Sequence, residues 1–262
     1  MKKLIVIIFV LIFSFSFSQE KDLYQVKFVR YFDVDLDKFY EYNSNSSNRE
    51  VIDKNLEILT RIAEFTLICN DKESIFNEDE KLNNSQIEKN QFKDPNGNQV
   101  VFYDYSGLVL YRNLEKKISL FPSQSKTMIQ DSLQQFGWNT NYSEEKEILG
   151  YKVKKATAKG LEPDTEMTAW YTTEIPYSQG PYLYWGLPGL ILKIDIQINT
   201  NQGMAYYINS YHFEAKSIEK LTKNNDLLPK SKRIISIDEH NKLIEEFEKK
   251  QNDYSNQEVD KD

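Results

Sequence analysis

Alternation of apolar and polar residues, repeated in segment after segment, is the feature that most constrains the fold of this chain. Residues 190–198 read LILKIDIQI, with an apolar side chain at every second position and Lys193, Asp195 and Gln197 between them. A period of two is typical of a strand with one buried and one wet face. Similar alternation occurs at residues 24–28, 65–69, 101–105, 151–153, 167–171 and 204–213. The pattern predicts a mostly β (α+β) fold, either a curved antiparallel β-sheet or an open barrel-like meander.

Helical patterns are fewer. Residues 51–61 are compatible with a short helix, and residues 238–251 place Leu243, Ile244 and Phe247 on one face. Ser236 and Glu239 have the spacing of a capping box, which predicts the start of this C-terminal helix. The polar and acidic residues 252–262 predict a frayed, disordered tail.

The first eighteen residues have the pattern of a secretory signal peptide. Lys2 and Lys3 precede the apolar run 4–13, and small residues at Ser16 and Ser18 suit cleavage after position 18. The run is shorter than the roughly 20 apolar residues that a membrane anchor needs. We therefore expect an exported protein, periplasmic or secreted, with no transmembrane segment after cleavage and a single β domain over residues 19–251.

Charge and composition exclude several classes of function. The chain has 262 residues, a formal net charge of −7 and a pI near 5.2, which does not suit a nucleic-acid partner. Cys69 is the only cysteine, so no disulfide framework can form within the chain. His212 and His240 are far apart in sequence, and no dinucleotide or phosphate-binding glycine motif is present. We expect no metal, no cofactor and no catalytic residue.

The segment 170–194 carries the resemblance to a known family. It contains Ile175-Pro176, Gly180-Pro181 and the hexapeptide Gly-Leu-Pro-Gly-Leu-Ile at 186–191. In this order the elements resemble the GLPGLI family of secreted Bacteroidetes proteins. Residues 148–157 and 67–76 are similar to the upstream parts of the family pattern. The resemblance implies an exported β protein of a family without an established activity, and it brings no catalytic residue to this chain.

The hexapeptide comprises Gly186, Leu187, Pro188, Gly189, Leu190 and Ile191. Pro188 fixes φ at the second position of a β-turn, and Gly189 can supply the positive φ of a type II turn at the third. We therefore predict a structural corner that launches the strand from Leu190. The alternative is that the turn itself presents a surface to a ligand or partner.

Aromatic residues are dense around this corner. Candidate binding residues are Trp170, Tyr171, Tyr182, Tyr184 and Trp185. Such a cluster suits a packed core or a recognition surface. If Tyr182 and Tyr184 share one face of a strand, half of the cluster must look outward or into a cavity.

These patterns favour a non-enzymatic binding or envelope-accessory protein, whose partner is an apolar ligand or an outer-membrane protein. In the ligand version, the C-terminal helix closes a groove over the sheet. In another version, the 186–191 corner exposes an apolar docking patch. The alternative is an extracytoplasmic hydrolase whose acidic dyad comes from Asp164, Glu166 and Glu174.

Two further groups of polar residues have a structural interpretation. His212 is either a base or a half-buried histidine with satisfied hydrogen bonds. We interpret Asp33, Asp35 and Asp37 as a charged strand face.

Overall fold

The structure, a computed structural model, describes residues 22–44, 48–79, 91–93, 99–101, 109–123, 127–200, 203–222, 226–231 and 233–259. It is mostly β, with one curved twelve-stranded sheet, which confirms the predicted fold class. The strands are β1 (Leu23–Val34), β2 (Ala63–Cys69), β3 (Glu73–Glu78), β4 (Gln91–Lys93), β5 (Gln99–Val101), β6 (Val109–Asn113), β7 (Ile118–Pro122), β8 (Met128–Ser132), β9 (Glu145–Ile148), β10 (Tyr151–Lys159), β11 (Thr165–Thr172), β12 (Leu190–Ile198), β13 (Ile208–Leu221) and β14 (Ile234–Ser236).

Two meanders meet at the long strands β1 and β13. The order in the sheet is β14-β8-β7-β6-β3-β2-β1-β13-β12-β11-β10-β9. All neighbours are antiparallel except β14, which runs parallel to β8. The strands β4 and β5 pair separately and antiparallel to each other, and the Asn-Gly sequence between them favours a hairpin turn at residues 94–98. That turn, residues 102–105 of the predicted strand and the signal peptide all lie outside the described residues.

The predicted alternation of β12 is confirmed. Leu190, Leu192, Ile194 and Ile196 are buried, whereas Lys193, Asp195 and Gln197 are partly or fully exposed. The hairpin of β10 and β11 is also confirmed, with Ala156 opposite Ala169. The strand predicted at 204–213 needs a correction, because Gly203–Tyr206 is a 3₁₀ helix and β13 begins only at Ile208.

Within the described residues, three α-helices accompany the sheet: α1 (Leu36–Tyr42), α2 (Arg49–Thr60) and α3 (Ile237–Val259). Asp35 caps α1, because its side chain accepts a hydrogen bond from the backbone N–H of Lys38, and Asp37 lies in the first turn. The interpretation of Asp33, Asp35 and Asp37 as one strand face was therefore wrong. A carboxylate near a helix N-terminus is stabilised by the helix dipole, and this competes with the alternating pattern.

The C-terminal helix α3 starts where the capping box predicts, since Ser236 Oγ accepts from the N–H of Glu239 at 3.1 Å. It continues to Val259 and covers most of the stretch for which we predicted a frayed tail. Its apolar face does not close the sheet, because Leu243, Ile244 and Phe247 remain exposed, the last at 60%. Among the described residues, no helix is both long and apolar enough to cross a membrane.

The main core lies on the inner face of the sheet. Strands from both meanders contribute fully buried residues, including Val26, Phe65 and Phe76 from one side and Met167 and Ile194 from the other. Phe65 and Phe76 stack at 5.0 Å between ring centroids. The curvature therefore brings the two halves of the sheet around a shared interior.

Cys69 offers a test of this interior. Its side chain is fully buried, and burial raises the pKa of its thiol from 9.0 to about 12, opposed in part by the positive charge of Arg112. We expect Cys69 to react with Ellman's reagent at pH 8 only as fast as the protein opens, and at once in denaturant. A rapid stoichiometric reaction of the native protein would contradict the packing described here.

Candidate functional site

The loop between β11 and β12, residues 173–189, is the centre of the candidate site. Although it has no regular secondary structure, much of it is buried. Ile175, Tyr184 and Leu187 are each only 1% exposed and pack in the main core. A connecting segment normally stays on the surface, because its backbone groups need hydrogen bonds. Here the loop closes over the inner face and fills it.

Backbone hydrogen bonds within the loop make this burial possible. The N–H of Leu190 donates to the carbonyl of Ile175, and that of Ile191 donates to the carbonyl of Gln179. The N–H of Gly186 donates to the carbonyl of Ser178. The loop thus pairs with the start of β12 and with itself, so that its buried polar groups are satisfied.

Arg112 holds the loop from the other half of the sheet. This side chain on β6 is 2% exposed, and its guanidinium donates to Gln179 Oε1 at 3.1 Å and to the carbonyl oxygen of Tyr182. Ser74 Oγ also donates to Gln179 Oε1, at 2.9 Å, and lies 3.5 Å from the guanidinium. Burial lowers the pKa of Arg112 to about 10, with a small opposing effect of Cys69. The guanidinium is therefore still charged at neutral pH and is solvated by neutral oxygens.

The hexapeptide forms a corner, but not the predicted turn. Positive φ occurs at Gly186, with φ of 97°, and not at Gly189. Gly189 is needed for space, because a Cβ there would lie 2.0 Å from the backbone oxygen of Thr172. The type II turn was thus wrong in detail: Leu190 N–H pairs with Ile175, and the close approach of two backbones selects glycine.

The aromatic candidates divide between the core and two separate surfaces. Tyr171 and Tyr184 are buried, and the hydroxyls of Tyr184 and Tyr211 are hydrogen-bonded at 2.6 Å. Burial, followed by the nearby Tyr211, raises the pKa of Tyr184 far above its usual range. Tyr182 is half-buried and stacks on Phe213 at 6.1 Å. Tyr182 and Tyr184 lie in the loop and not on a strand, so the case in which they share one strand face does not apply.

Trp170 lies on the opposite face of the sheet from Tyr171, because successive residues of a strand alternate. Lys146 Nζ lies 3.8 Å from the centroid of the Trp170 ring. Burial and the like charge of Lys193 lower the pKa of Lys146. Trp170 therefore does not join the other aromatic candidates.

Two hydrogen bonds join Trp185 to the segment between Gln134 and Trp138. Trp185 Nε1 donates to the carbonyl oxygen of Gln134 at 2.7 Å, and Trp138 Nε1 donates to the carbonyl oxygen of Trp185 at 2.8 Å. Both side chains are half-buried, while Gly186 and Pro188 beside them are exposed. We call Trp138, Trp185, Gly186 and Pro188 the tryptophan rim. Its indole N–H groups are engaged, so only ring surface is left for a partner.

The acidic candidates do not converge. Asp164 and Glu166 lie at the start of β11, whereas Glu174 lies beyond its end, where Glu174 Oε1 accepts from the N–H of Lys152. An eight-residue strand spans roughly 23 Å. A glycosidase dyad needs carboxyls within about 5–10 Å, which Glu174 cannot form with the other two. Within the described part of the chain, no group of three or more histidine, cysteine or acidic residues could hold a metal ion.

Comparison with known proteins finds a short match to a family of unknown function and a similar fold. A family model described as "Protein of unknown function (Porph_ging)" matches residues 158–193, a stretch that includes β11, the loop and the hexapeptide. No curated protein matches the chain. The chain is similar to a solved structure of PNGF-II in space group C2, with a TM-score of 0.51 and 17% identity over 85% of this chain and 32% of that chain. The P21 crystal form gives a TM-score of 0.47, with 18% identity over 82% and 31% of the two chains.

The chain thus spans about a third of the length of PNGF-II. At 17% sequence identity, the similarity to PNGF-II shows a similar fold and nothing about function. The match is consistent with the expectation of a family without an established activity.

Three residues of the site escaped the sequence analysis. Arg112 and Gln179 are polar residues in otherwise ordinary segments, and Trp138 lies between two strands. The only available signal was an arginine inside the apolar run VLYRN of β6, which also suits a solvent-facing position.

Proposed function

We propose that this chain is an exported binding protein of the GLPGLI type, periplasmic or secreted, which docks a partner protein of the cell envelope through the tryptophan rim. The single observation that carries the proposal is that both half-buried indoles are fixed through their N–H groups, that of Trp138 to the carbonyl oxygen of Trp185 and that of Trp185 to the carbonyl oxygen of Gln134. Tryptophans that are held rigidly, with satisfied N–H groups, provide ring surface at a low entropic cost, as do binding hot spots.

A protein partner fits this site better than an apolar ligand. The inner face of the sheet, where such a ligand would lie, is occupied by Ile175, Tyr184 and Leu187 from the loop. The rim, in contrast, combines two partly exposed indoles with the exposed Gly186 and Pro188. A shallow surface of this kind suits a docking contact.

Site-specific photocrosslinking tests the docking surface. A photoreactive amino acid at position 188 is expected to give one discrete adduct with an envelope protein in the producing cell, since Pro188 is exposed beside Trp185. The matched control places the same amino acid at Glu64, an exposed position on β2. The adduct should decrease at least tenfold when Trp185→Ala is added in a variant that still folds. An equal adduct from position 64, or none from 188, would contradict the proposal.

Export is tested separately by cell fractionation of the full chain and of a variant without residues 1–18. The full chain should be recovered outside the cytoplasm and begin at Gln19, whereas the shortened variant should stay inside. A protein that is not exported could not meet a partner in the cell envelope, so this result would exclude the proposed partner while the geometry of the tryptophan rim stays as described.

A further inference from the structure

The outer face of the sheet carries a chain of hydrogen bonds that the binding function does not use. Asp195 on β12 is directly opposite His212 on β13 in the strand register, and Ser210 precedes His212 by two residues on the same face. His212 Nδ1 lies 2.6 Å from Asp195 Oδ1, and His212 Nε2 lies 2.9 Å from Ser210 Oγ. Sequence analysis missed the arrangement because only the register brings Asp195 to the histidine.

The hydrogen-bonding partners assign a tautomer to the imidazole. A carboxylate can only accept, so Nδ1–H donates to Asp195. In the neutral imidazole, Nε2 is then the acceptor and the hydroxyl of Ser210 donates to it. Burial raises the pKa of Asp195, but the hydrogen bond from His212 and the hydrogen bond and positive charge of Lys193 outweigh burial, so that the net pKa is lowered. Asp195 is therefore ionised at neutral pH and orients the imidazole.

The imidazole ring is fixed from the side as well. Tyr31 on β1 stacks on His212 at 4.7 Å between centroids, with an interplanar angle of 21°. Lys193 Nζ lies 3.5 Å from Asp195 Oδ1 and 3.8 Å from Glu214 Oε2. The base is thus positioned by neighbours on both adjoining strands, which is the preorganisation that nucleophilic catalysis needs.

A β-bulge adjoins the hydroxyl. Asp33 and Val34 on β1 are opposite Ser210 and Ile208 on β13, so that Asn209 is the extra residue. A bulge takes the extra residue out of the regular ladder and is frequent next to active sites. Ser210 is 5% exposed, which limits access to small or extended groups.

We infer that Ser210 is a nucleophile for acyl transfer, with His212 as its general base and Asp195 as the positioning residue. Ser210 Oγ attacks the carbonyl carbon of a carboxylic ester while its proton passes to His212 Nε2. The alkoxide then leaves with that proton, and an acyl-serine remains. Water, deprotonated by the same nitrogen, releases the carboxylic acid and restores the serine. This reactivity goes beyond the proposed docking function and does not depend on it.

A small fluorophosphonate is the probe that tests the inference. On the native protein, Ser210 Oγ should displace fluoride and form a P–O bond, while the proton leaves through His212. We expect one adduct per chain by intact mass, located on the peptide that contains Ser210. Ser210→Ala should abolish the adduct, and Ser217→Ala, on the same strand, should leave it unchanged. An unlabelled Ser210, under conditions in which a known serine hydrolase reacts, would overturn the inference.

Variants of the other two residues separate reactivity from stability. His212→Gln should lower the rate of labelling by about 10²–10⁴-fold, which is the usual contribution of a general base. Asp195→Asn should lower it as well, and Asp195→Glu should restore part of the rate, which a purely structural role would not require. If His212→Gln does not fold, the wild-type adduct and its loss in Ser210→Ala still decide the question. Labelling of Ser210 at an unchanged rate in a folded His212→Gln variant would overturn the assignment of the base.

Discussion

Replacing Gly189 by alanine is expected to destabilise the protein by about 4 kcal/mol or more, the range reached only by severe mechanisms. The added Cβ would lie 2.0 Å from the carbonyl oxygen of Thr172 and 2.7 Å from its carbonyl carbon. These are backbone atoms at the end of β11, so the clash cannot be relieved by a side-chain rotation. Thermal unfolding followed by circular dichroism should show a decrease of roughly 10 °C or more in Tm.

Gly137→Ala is the matched control for this substitution. A Cβ at Gly137 meets no atom within 4 Å, and the residue lies in the irregular segment after β8. We expect its Tm to stay within a few degrees of the wild-type value. A Gly189→Ala variant as stable as Gly137→Ala would mean that β11 and the hexapeptide are not as close as described.

The regular part of the fold could be predicted from local periodicity. In β12 the alternation reports directly which side chains face the core, because a strand places successive residues on opposite faces. The start of α3 was likewise encoded by the local capping pair Ser236 and Glu239. Both predictions depend on residues that are close in sequence.

The candidate site depends on contacts that no local pattern encodes. The loop 173–189 has no periodicity, and its burial rests on Arg112, which is far away in sequence. The sequence correctly indicated that position 189 requires glycine. The predicted reason was a positive φ, whereas the structure shows that there is no space for a Cβ. Both requirements select glycine, so the sequence alone could not separate them.

Loss of the Arg112 side chain is the second large effect that we expect. In Arg112→Met, the carbonyl oxygen of Tyr182 and Gln179 Oε1 lose a donor inside the core. The loss of a donor to a buried acceptor costs about 1–3 kcal/mol, although Gln179 Oε1 keeps its hydrogen bond from Ser74 Oγ. Removal of a buried charge offsets part of this loss, since burial already lowers the pKa of Arg112 to about 10. We expect a net destabilisation of about 2–4 kcal/mol in denaturant unfolding, from the balance of these two effects.

Two further variants distinguish the geometry of the guanidinium from its charge. Arg112→Lys keeps the positive charge but has no planar fork, so it should restore little of the lost stability. Arg49→Met is the control for an exposed arginine: Arg49 pairs with Asp53 at 3.1 Å on α2, with a side chain 66% exposed, and its loss should cost less than about 1 kcal/mol. An Arg112→Met variant as stable as Arg49→Met would contradict the anchoring role.

A double-mutant cycle with Gln179 measures the contact itself. Gln179→Leu removes the acceptor, so Arg112→Met costs less in that background. The combined loss should be smaller than the sum of the two single losses by about 1–2 kcal/mol, within the range for residues in direct contact. If the two losses of stability are additive, Arg112 stabilises the loop mainly through its hydrogen bond to the carbonyl oxygen of Tyr182. Coupling would identify the bridge from β6 to the loop as the interaction that keeps this irregular segment, and the tryptophan rim that continues from it, in place.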